Sequence, residues 1–411
     1  MAGDGSVRDI RRNLVLFFLD GAFYMPAMTL ISITAVIPYF LDQAGASAVQ
    51  IGLAASTALF CSFLLQPVFG HIASHARSPH RTFAYILLTQ RAIFQIFVFC
   101  IPVFARSGQV MVWSFLVFWA VFNLFVGSYN VFYTPMVVRL LPPHQRGSAR
   151  GLGFALGSLV GLGAAMLIPV VLSRVLYPYN YMLVFSGGSL LLLIDAALFL
   201  LLRQPADAVP TTPMRVVQYV KEMPLSVRTN APFRAAVLTC LFPVVAGALL
   251  TYYTLYAIRD FGATEAQVGV LAALAVAAAA VGYVVFGFAV DRFGPRRVVA
   301  AAAILIAMAG VLALTTHSLF LLYVAWVLAN LGNSSYGVSA VPLIGSVSPA
   351  EKLPLYAGVH SVITQAASAV VLLALAPALE FVGFLPLFAV VFSCGAASLV
   401  INQAVLRRRL S

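Results

Sequence analysis

The chain reads as an all-α membrane protein of twelve transmembrane helices, arranged as two pseudo-symmetric six-helix bundles. Three observations predict this: a composition too apolar for water, basic residues gathered on one side of the apolar runs, and a sequence that repeats across its midpoint. Of the 411 residues, 62% are hydrophobic and 9% charged. A soluble domain carries about 25% charged residues, so most of this chain must face lipid or other buried helices. About twenty apolar residues cross the hydrocarbon layer as a helix, and the chain has room for twelve such runs.

The spans are expected at residues 14–40, 50–72, 82–105, 110–138, 148–172, 180–202, 234–258, 266–289, 298–316, 319–344, 355–379 and 383–406. With the N-terminus inside, 20 of the 24 Lys and Arg residues fall on the cytoplasmic side, as the positive-inside bias requires. Arg106, Arg174 and Arg259 fall outside and Arg91 falls within the membrane. An even number of spans puts both termini in the cytoplasm, and the expected location is the inner (cytoplasmic) membrane. The formal charge of +12 is dispersed in short loop clusters with no basic face, so nucleic acid is excluded as a partner. Cys61, Cys100, Cys240 and Cys394 lie inside apolar runs with neither metal-site nor disulfide spacing.

Residues 203–233 form the longest polar stretch, with Pro205, Pro210, Pro213, Pro224 and Pro232. The predicted organisation is therefore an N-terminal bundle over 1–202, a cytoplasmic linker over 203–233 and a C-terminal bundle over 234–411. Within the linker, Met214 to Met223 alternates apolar and basic residues at helical spacing. That pattern predicts a helix lying along the membrane surface.

The two bundles read as copies. Gly45 to Gly52 matches Gly262 to Gly269 at an offset of 217, together with Pro26 and Pro243, Tyr39 and Tyr256, and Gly70 and Gly287. Further on the offset is 207: Trp119 matches Trp326, Asn123 matches Asn330, Ser128-Tyr129 matches Ser335-Tyr336 and Pro135 matches Pro342. Each copy has six spans, so both insert with the same orientation. Parallel repeats are related by an axis along the membrane normal and hold a site between them near the midplane.

The segment Gly287-Phe-Ala-Val-Asp291-Arg292-Phe-Gly294-Pro-Arg296-Arg297 closely resembles the cytoplasmic loop motif of the major facilitator superfamily. Its first-half copy, Gly70 to Arg81, is degraded, with Ser74 where the family has Asp. The loop Pro143 to Gly151, with Arg146 and Arg150, resembles the family's connection between spans 4 and 5. The resemblance covers the whole chain and implies the major facilitator fold. It also implies secondary active transport of a small solute by alternating access, with no cofactor, no metal and no catalysis. Asp291, at the end of span 8, can face the positive N-terminus of a helix in the other half. By the two-fold relation that helix is span 5, near Gly147 to Arg150. The contact is read as a gate favouring the outward-facing state; the plainer alternative is a topological anchor.

An ionised group at the bilayer centre costs about 2.5–3.5 kcal/mol on insertion scales, so Asp20, Arg91 and Asp195 are functional candidates. They lie at similar depth, which permits pairing. On the family's usual helix arrangement, Asp20 is the coupling carboxylate and Arg91 with Asp195 an intramembrane ion pair; the alternative has Arg91 neutralising Asp20. Trp119, Asn123 and Asn130 share one helical face, as do Trp326, Asn330 and Asn333. These stripes suit a midplane substrate cavity, or equally interhelical hydrogen bonding. Tyr24, Tyr252 and Gln365 join the cavity candidates.

Span 5 carries Gly153, Gly157 and Gly161, which resembles the glycine-rich signature of the family's antiporters, but Leu162 stands where that signature has Pro. The expectation is a proton-coupled monomer in the lipid bilayer, leaning to efflux of an apolar or aromatic compound. The alternatives are a proton-linked sugar or organic acid importer, a membrane-embedded enzyme, and a sensor without flux.

Overall fold

Among the described residues, fifteen α-helices build twelve spans and a sixteenth lies in the linker. The computed structural model describes residues 4–33, 36–204, 212–263 and 265–407; Pro205, Pro210, Arg408 and Arg409 lie outside them. Span 1 is α1 (Asp4–Leu30) continued by α2 (Val36–Gln43), and span 2 is α3 (Ala48–Leu64) with α4 (Gln66–His75). Spans 3 to 6 are α5 (Pro79–Phe104), α6 (Gly108–Leu140), α7 (Arg146–Arg174) and α8 (Tyr179–Leu198). The linker helix α9 covers Val216–Thr229. Span 7 is α10 (Ala231–Ala248) with α11 (Thr251–Phe261), and spans 8 to 12 are α12 (Glu265–Phe293), α13 (Pro295–Thr315), α14 (Leu319–Val347), α15 (Leu353–Val382) and α16 (Leu385–Arg407). α1 begins and α16 ends on one face, called here the terminal face; the other is the far face.

Eleven helices among the described residues are long and apolar enough to cross a membrane. The helix outside that count is α14. Its 29 residues suffice for a crossing at about 1.5 Å per residue, but Asn330, Asn333, Ser334 and Ser335 dilute its hydropathy.

The breaks recur at equivalent places. Pro26 lies inside α1 and Pro243 inside α10, each ahead of the interruption in its span. A proline removes an N–H and crowds the carbonyl four residues back. Span 2 breaks at Leu65, with Pro67 in the first turn of α4. After spans 1 and 7 the chain turns at Gly45 (φ 81°) and Gly262 (φ 61°), both left-handed, a conformation that glycine adopts without a Cβ penalty.

Each bundle has its own apolar core. One cluster around Phe40, Phe94, Phe97, Phe115 and Trp119 draws only on residues before the linker, and one around Tyr253, Trp326, Leu387 and Phe388 only on residues after it. The repeat extends to single hydrogen bonds. Trp119 Nε1 donates to Ala54 O at 3.0 Å, and Trp326 Nε1 to Leu271 O at 2.7 Å. Asn123 donates to Trp119 O at 2.8 Å and Asn330 to Trp326 O at 2.9 Å.

The glycines of α7 set how closely helices approach. A Cβ on Gly153 or Gly157 would meet Phe18 O at 2.4 Å or Gly21 O at 2.2 Å. This small-residue face is spent on packing α7 against α1 inside its own bundle.

Candidate functional site

Between the bundles, the spans meet from the midplane to the terminal face. At the terminal end of α12, Asp291 accepts hydrogen bonds from the N–H groups of Gly147 (2.8 Å) and Ser148 (2.7 Å) in the first turn of α7. Those N–H groups have no partner within their own helix, and a carboxylate complements the helix dipole there. The approach needs glycine: a Cβ on Gly147 would meet Gly287 O at 2.4 Å, and one on Gly151 would meet Tyr283 O at 2.1 Å. The residues of the C-terminal motif are therefore in contact with the span expected from the two-fold relation.

The equivalent place on the other side is built differently. The 207 offset maps Gly147 onto Pro354 and Gly151 onto Gly358. Pro354 has no N–H to offer, and Ser74 replaces the carboxylate. The linker fills the gap. The Tyr219 ring lies between Gly70 and Gly358, where a Cβ on Gly70 would fall 2.0 Å from Tyr219 Cε2 and one on Gly358 2.1 Å from its hydroxyl oxygen. The Tyr219 hydroxyl donates to Pro354 O at 3.1 Å. Met214 N–H donates to Ser74 Oγ at 3.0 Å, and His71 Nδ1 lies 2.5 Å from Met214 O. Lys352 pairs with Glu222 at 2.8 Å, and that ammonium holds the Glu222 carboxylate below its ordinary range. The linker helix packs on protein through one face: Met214 and Tyr219 are buried against spans 2 and 11, while Val217, Val220 and Leu225 face outward.

At the midplane, side chains from both bundles interlock. Gln66 donates to Ser361 Oγ at 2.8 Å and Asn130 to the same oxygen at 2.9 Å, while Ser62 Oγ donates to Gln365 Oε1 at 2.5 Å. Nearer the terminal face, Arg139 donates to Ala350 O at 2.6 Å. Toward the far face, a crevice of about 280 Å³ runs between the bundles. Met25, Thr29, Ser158, Ala279, Tyr283 and Asn330 are among its lining residues. A neighbouring hollow of about 530 Å³ shares Met25, Thr29 and Ala165 with it.

Beneath the crevice lies a buried charged cluster. Arg91 Nη2 donates to Asp195 Oδ2 at 2.9 Å, with 3% and 0% of the two side chains exposed. Tyr133 O–H donates to Asp20 Oδ2 at 2.7 Å. Asp20 and Asp195 interact within this one buried cluster, and Oδ1 of each has no hydrogen-bond partner. Both pairings weighed for Arg91 thus belong to one cluster. Tyr24 stacks on Tyr129 and Tyr129 on Tyr133, with centroids 6.0 and 4.6 Å apart. Arg150 lies over the Tyr133 ring at 5.3 Å and the Phe154 ring at 5.2 Å.

Of the cavity candidates, Asn330 lines the crevice, Tyr24 adjoins the charged cluster, and Asn130 and Gln365 join the bundles. Trp119, Asn123 and Trp326 are corrected: each indole or amide bonds backbone inside its own bundle and is buried there. Tyr252 packs on the C-terminal core, and Asn333 lies against Gly247. A helical stripe shows which residues share a face, not which neighbour that face meets. Among the gate residues, Arg146 caps α6 through Leu141 O (3.0 Å) and Val138 O. Arg296 bonds Asn402 at 2.9 Å, and Arg292 and Arg297 are exposed. Gly294 turns the chain at φ 85°. Arg150 is corrected from gate to interior: it points away from the loop into the aromatic cluster. Tyr219, Gln66 and Ser361 were missed; only the Gly70 and Gly358 positions in the repeat hinted that something must fill a gap.

Two like-oriented bundles of membrane helices around a central crevice define the class of transporters that work by alternating access. The chain matches the model of the Major Facilitator Superfamily over residues 14–259 and again over 235–410, and it belongs to that family. Similar solved structures include the Escherichia coli fucose:proton symporter FucP, at 17% identity over 95% of this chain and 98% of that one, with a TM-score of 0.73. The proton:xylose symporter XylE aligns at 13% identity over 98% and 96%, also at 0.73. A bacterial homologue of the iron transporter ferroportin, in an outward-facing state, aligns at 14% over 95% and 98%, again at 0.73. At these identities the likeness concerns the fold. Among curated proteins none matches the chain.

Proposed function

We propose that this transporter couples proton movement to a small solute, with the Asp20–Asp195 carboxyl pair as the proton site. The observation that carries the proposal is the placement of two buried carboxyl groups against each other with one guanidinium, Arg91, on one of them. Two adjacent carboxylates repel each other when both are ionised, so such a pair accepts a proton more readily than a lone carboxylate and does so as one unit, against the compensating charge of the nearby guanidinium groups. Tyr133 orients Asp20, and the pair lies beneath the crevice that opens toward the far face. The bundles over 1–202 and 234–411 tilt about the midplane contacts. Closure of the terminal face makes this the outward-facing arrangement if that face is cytoplasmic, as the basic residues of the loops support. On this reading the protein is a monomer in the inner membrane with both termini in the cytoplasm.

For direction, we favour uptake with protons over efflux. The glycines that suggested an exporter are accounted for by packing of α7 on α1, and two structures of similar fold are named as proton symporters. The test is reconstitution into liposomes with an imposed pH gradient and an internal pH dye. Solute-dependent proton movement is expected in the native protein and its loss in Asp20→Asn. Undiminished proton movement in Asp20→Asn sinks the assignment.

A further inference from the structure

We propose that Arg150 is the substrate's anion-binding group and that the solute is a small carboxylate carried together with a proton. This rests on the proton site proposed above. The Arg150 side chain is 5% exposed, and its Nε and Nη1 have no hydrogen-bond partner. A guanidinium cannot lose its proton to escape burial, and leaving its donors unsatisfied is costly. The remaining side of the group faces the Tyr133 hydroxyl, the partner it shares with Asp20.

The surroundings are those of an anion site. Tyr283 from α12 packs against Phe154, the ring that Arg150 covers, so both bundles contribute to the surroundings of one cation. Tyr283 forms part of the crevice wall. The Phe154 ring meets it edge-on at 5.3 Å, with Arg150 on that ring's other contact. The guanidinium therefore lies behind the Phe154 and Tyr283 rings, of which Tyr283 forms the crevice wall. Arg150 is also one helical turn from Gly147, whose N–H holds Asp291. A ligand reaching Arg150 bears on the gate through the same turn of α7.

Charge balance links the anion to the proton. The groups that face Asp20 are Tyr24 on its own helix, Arg91 on α5, Tyr129 and Tyr133 on α6, Arg150 on α7 and Asp195 on α8. With Asp20 and Asp195 both ionised, Arg91 and Arg150 neutralise them. One proton on the carboxyl pair leaves the cluster with one positive charge, and a carboxylate at Arg150 restores neutrality. The cluster thus favours either no ligand and no proton or one of each, which is the requirement for symport. Binding of the carboxylate with uptake of about one proton follows from linkage.

Calorimetry on the purified full chain tests this, with benzoate and lactate as probes and benzamide and lactamide as uncharged counterparts. Titrations in two buffers of different ionisation enthalpy read proton uptake. The expected result is that at least one carboxylate binds with about one proton taken up and its amide does not. Arg150→Gln should weaken carboxylate binding on the order of 30-fold or more, and Arg150→Lys should recover part of it, which guards against a variant that merely misfolds. Equal binding of acid and amide, no carboxylate binding at all, or unchanged binding in Arg150→Gln overturns the inference. If carboxylates bind at Arg150 without proton uptake, the proton site is what fails. If solute-driven proton movement persists while no carboxylate binds, the anion site alone fails.

Discussion

The two sides of the closed terminal face occupy equivalent positions in the repeat and use opposite chemistry. Where α12 meets α7, the contact is ionic: a carboxylate on two N–H groups, with glycine against glycine. Where α4 meets α15, the charge is gone, Pro354 stands in the first turn of the facing helix, and a tyrosine ring from the linker fills the space. The repeat places glycines at both Gly287 and Gly70, but in the first-half copy Pro354 lacks one of the two N–H donors, Ser74 carries no charge, and Tyr219 of the linker occupies the space. The first contact yields to a change of charge, the second to a change of shape.

Substitutions separate the two. Tyr219→Ala removes a buried ring between two glycines that cannot close the gap, a loss on the order of 3–5 kcal/mol. Limited proteolysis of the linker and a thermal shift should show α9 released; an undisturbed linker would mean that Tyr219 merely covers a joint made elsewhere. Asp291→Asn keeps the shape and removes the charge, which costs about 1.5–3 kcal/mol for hydrogen bonds to an ionised group. Transport should fall while membrane insertion, read by a fluorescent fusion, stays normal. Native rates in that variant would leave the contact as an anchor only. Tyr219→Phe keeps the ring and loses the bond to Pro354 O, about 1 kcal/mol, visible as a small drop in melting temperature. Glu222→Gln should do least, a few tenths of a kcal/mol at most for a part-exposed pair. Because Lys352 lowers the Glu222 pKa, this pair contributes fully above the ordinary glutamate value. Its contribution fades as pH falls through the lowered one.

The architecture was legible in the sequence because lipid forces the pattern: spans must be apolar and loop charge must fall on one side. The repeat located the gate partner, since Asp291 and Gly147 follow from symmetry. The polar stripes of α6 and α14 misled because Trp119 and Trp326 share a face with Asn130 and Asn330 but lie nearer the far face, where that face turns into the bundle's own core. Arg150 looked like a loop cation because it stands beside Arg146; only the fold shows its long side chain carried inward to Tyr133. Tyr219 was hidden for a different reason. An amphipathic pattern says that a helix has an apolar face but not whether lipid or protein covers it.

The most direct test of the two-gate account is a spin-label distance across the terminal face, between Cys introduced at the exposed positions Arg81 and Arg297 in a cysteine-free background. The account predicts a single short distance in the native chain at rest, a second, longer population in Asp291→Asn, and a larger one in Tyr219→Ala. An unchanged distance distribution in both variants would contradict it.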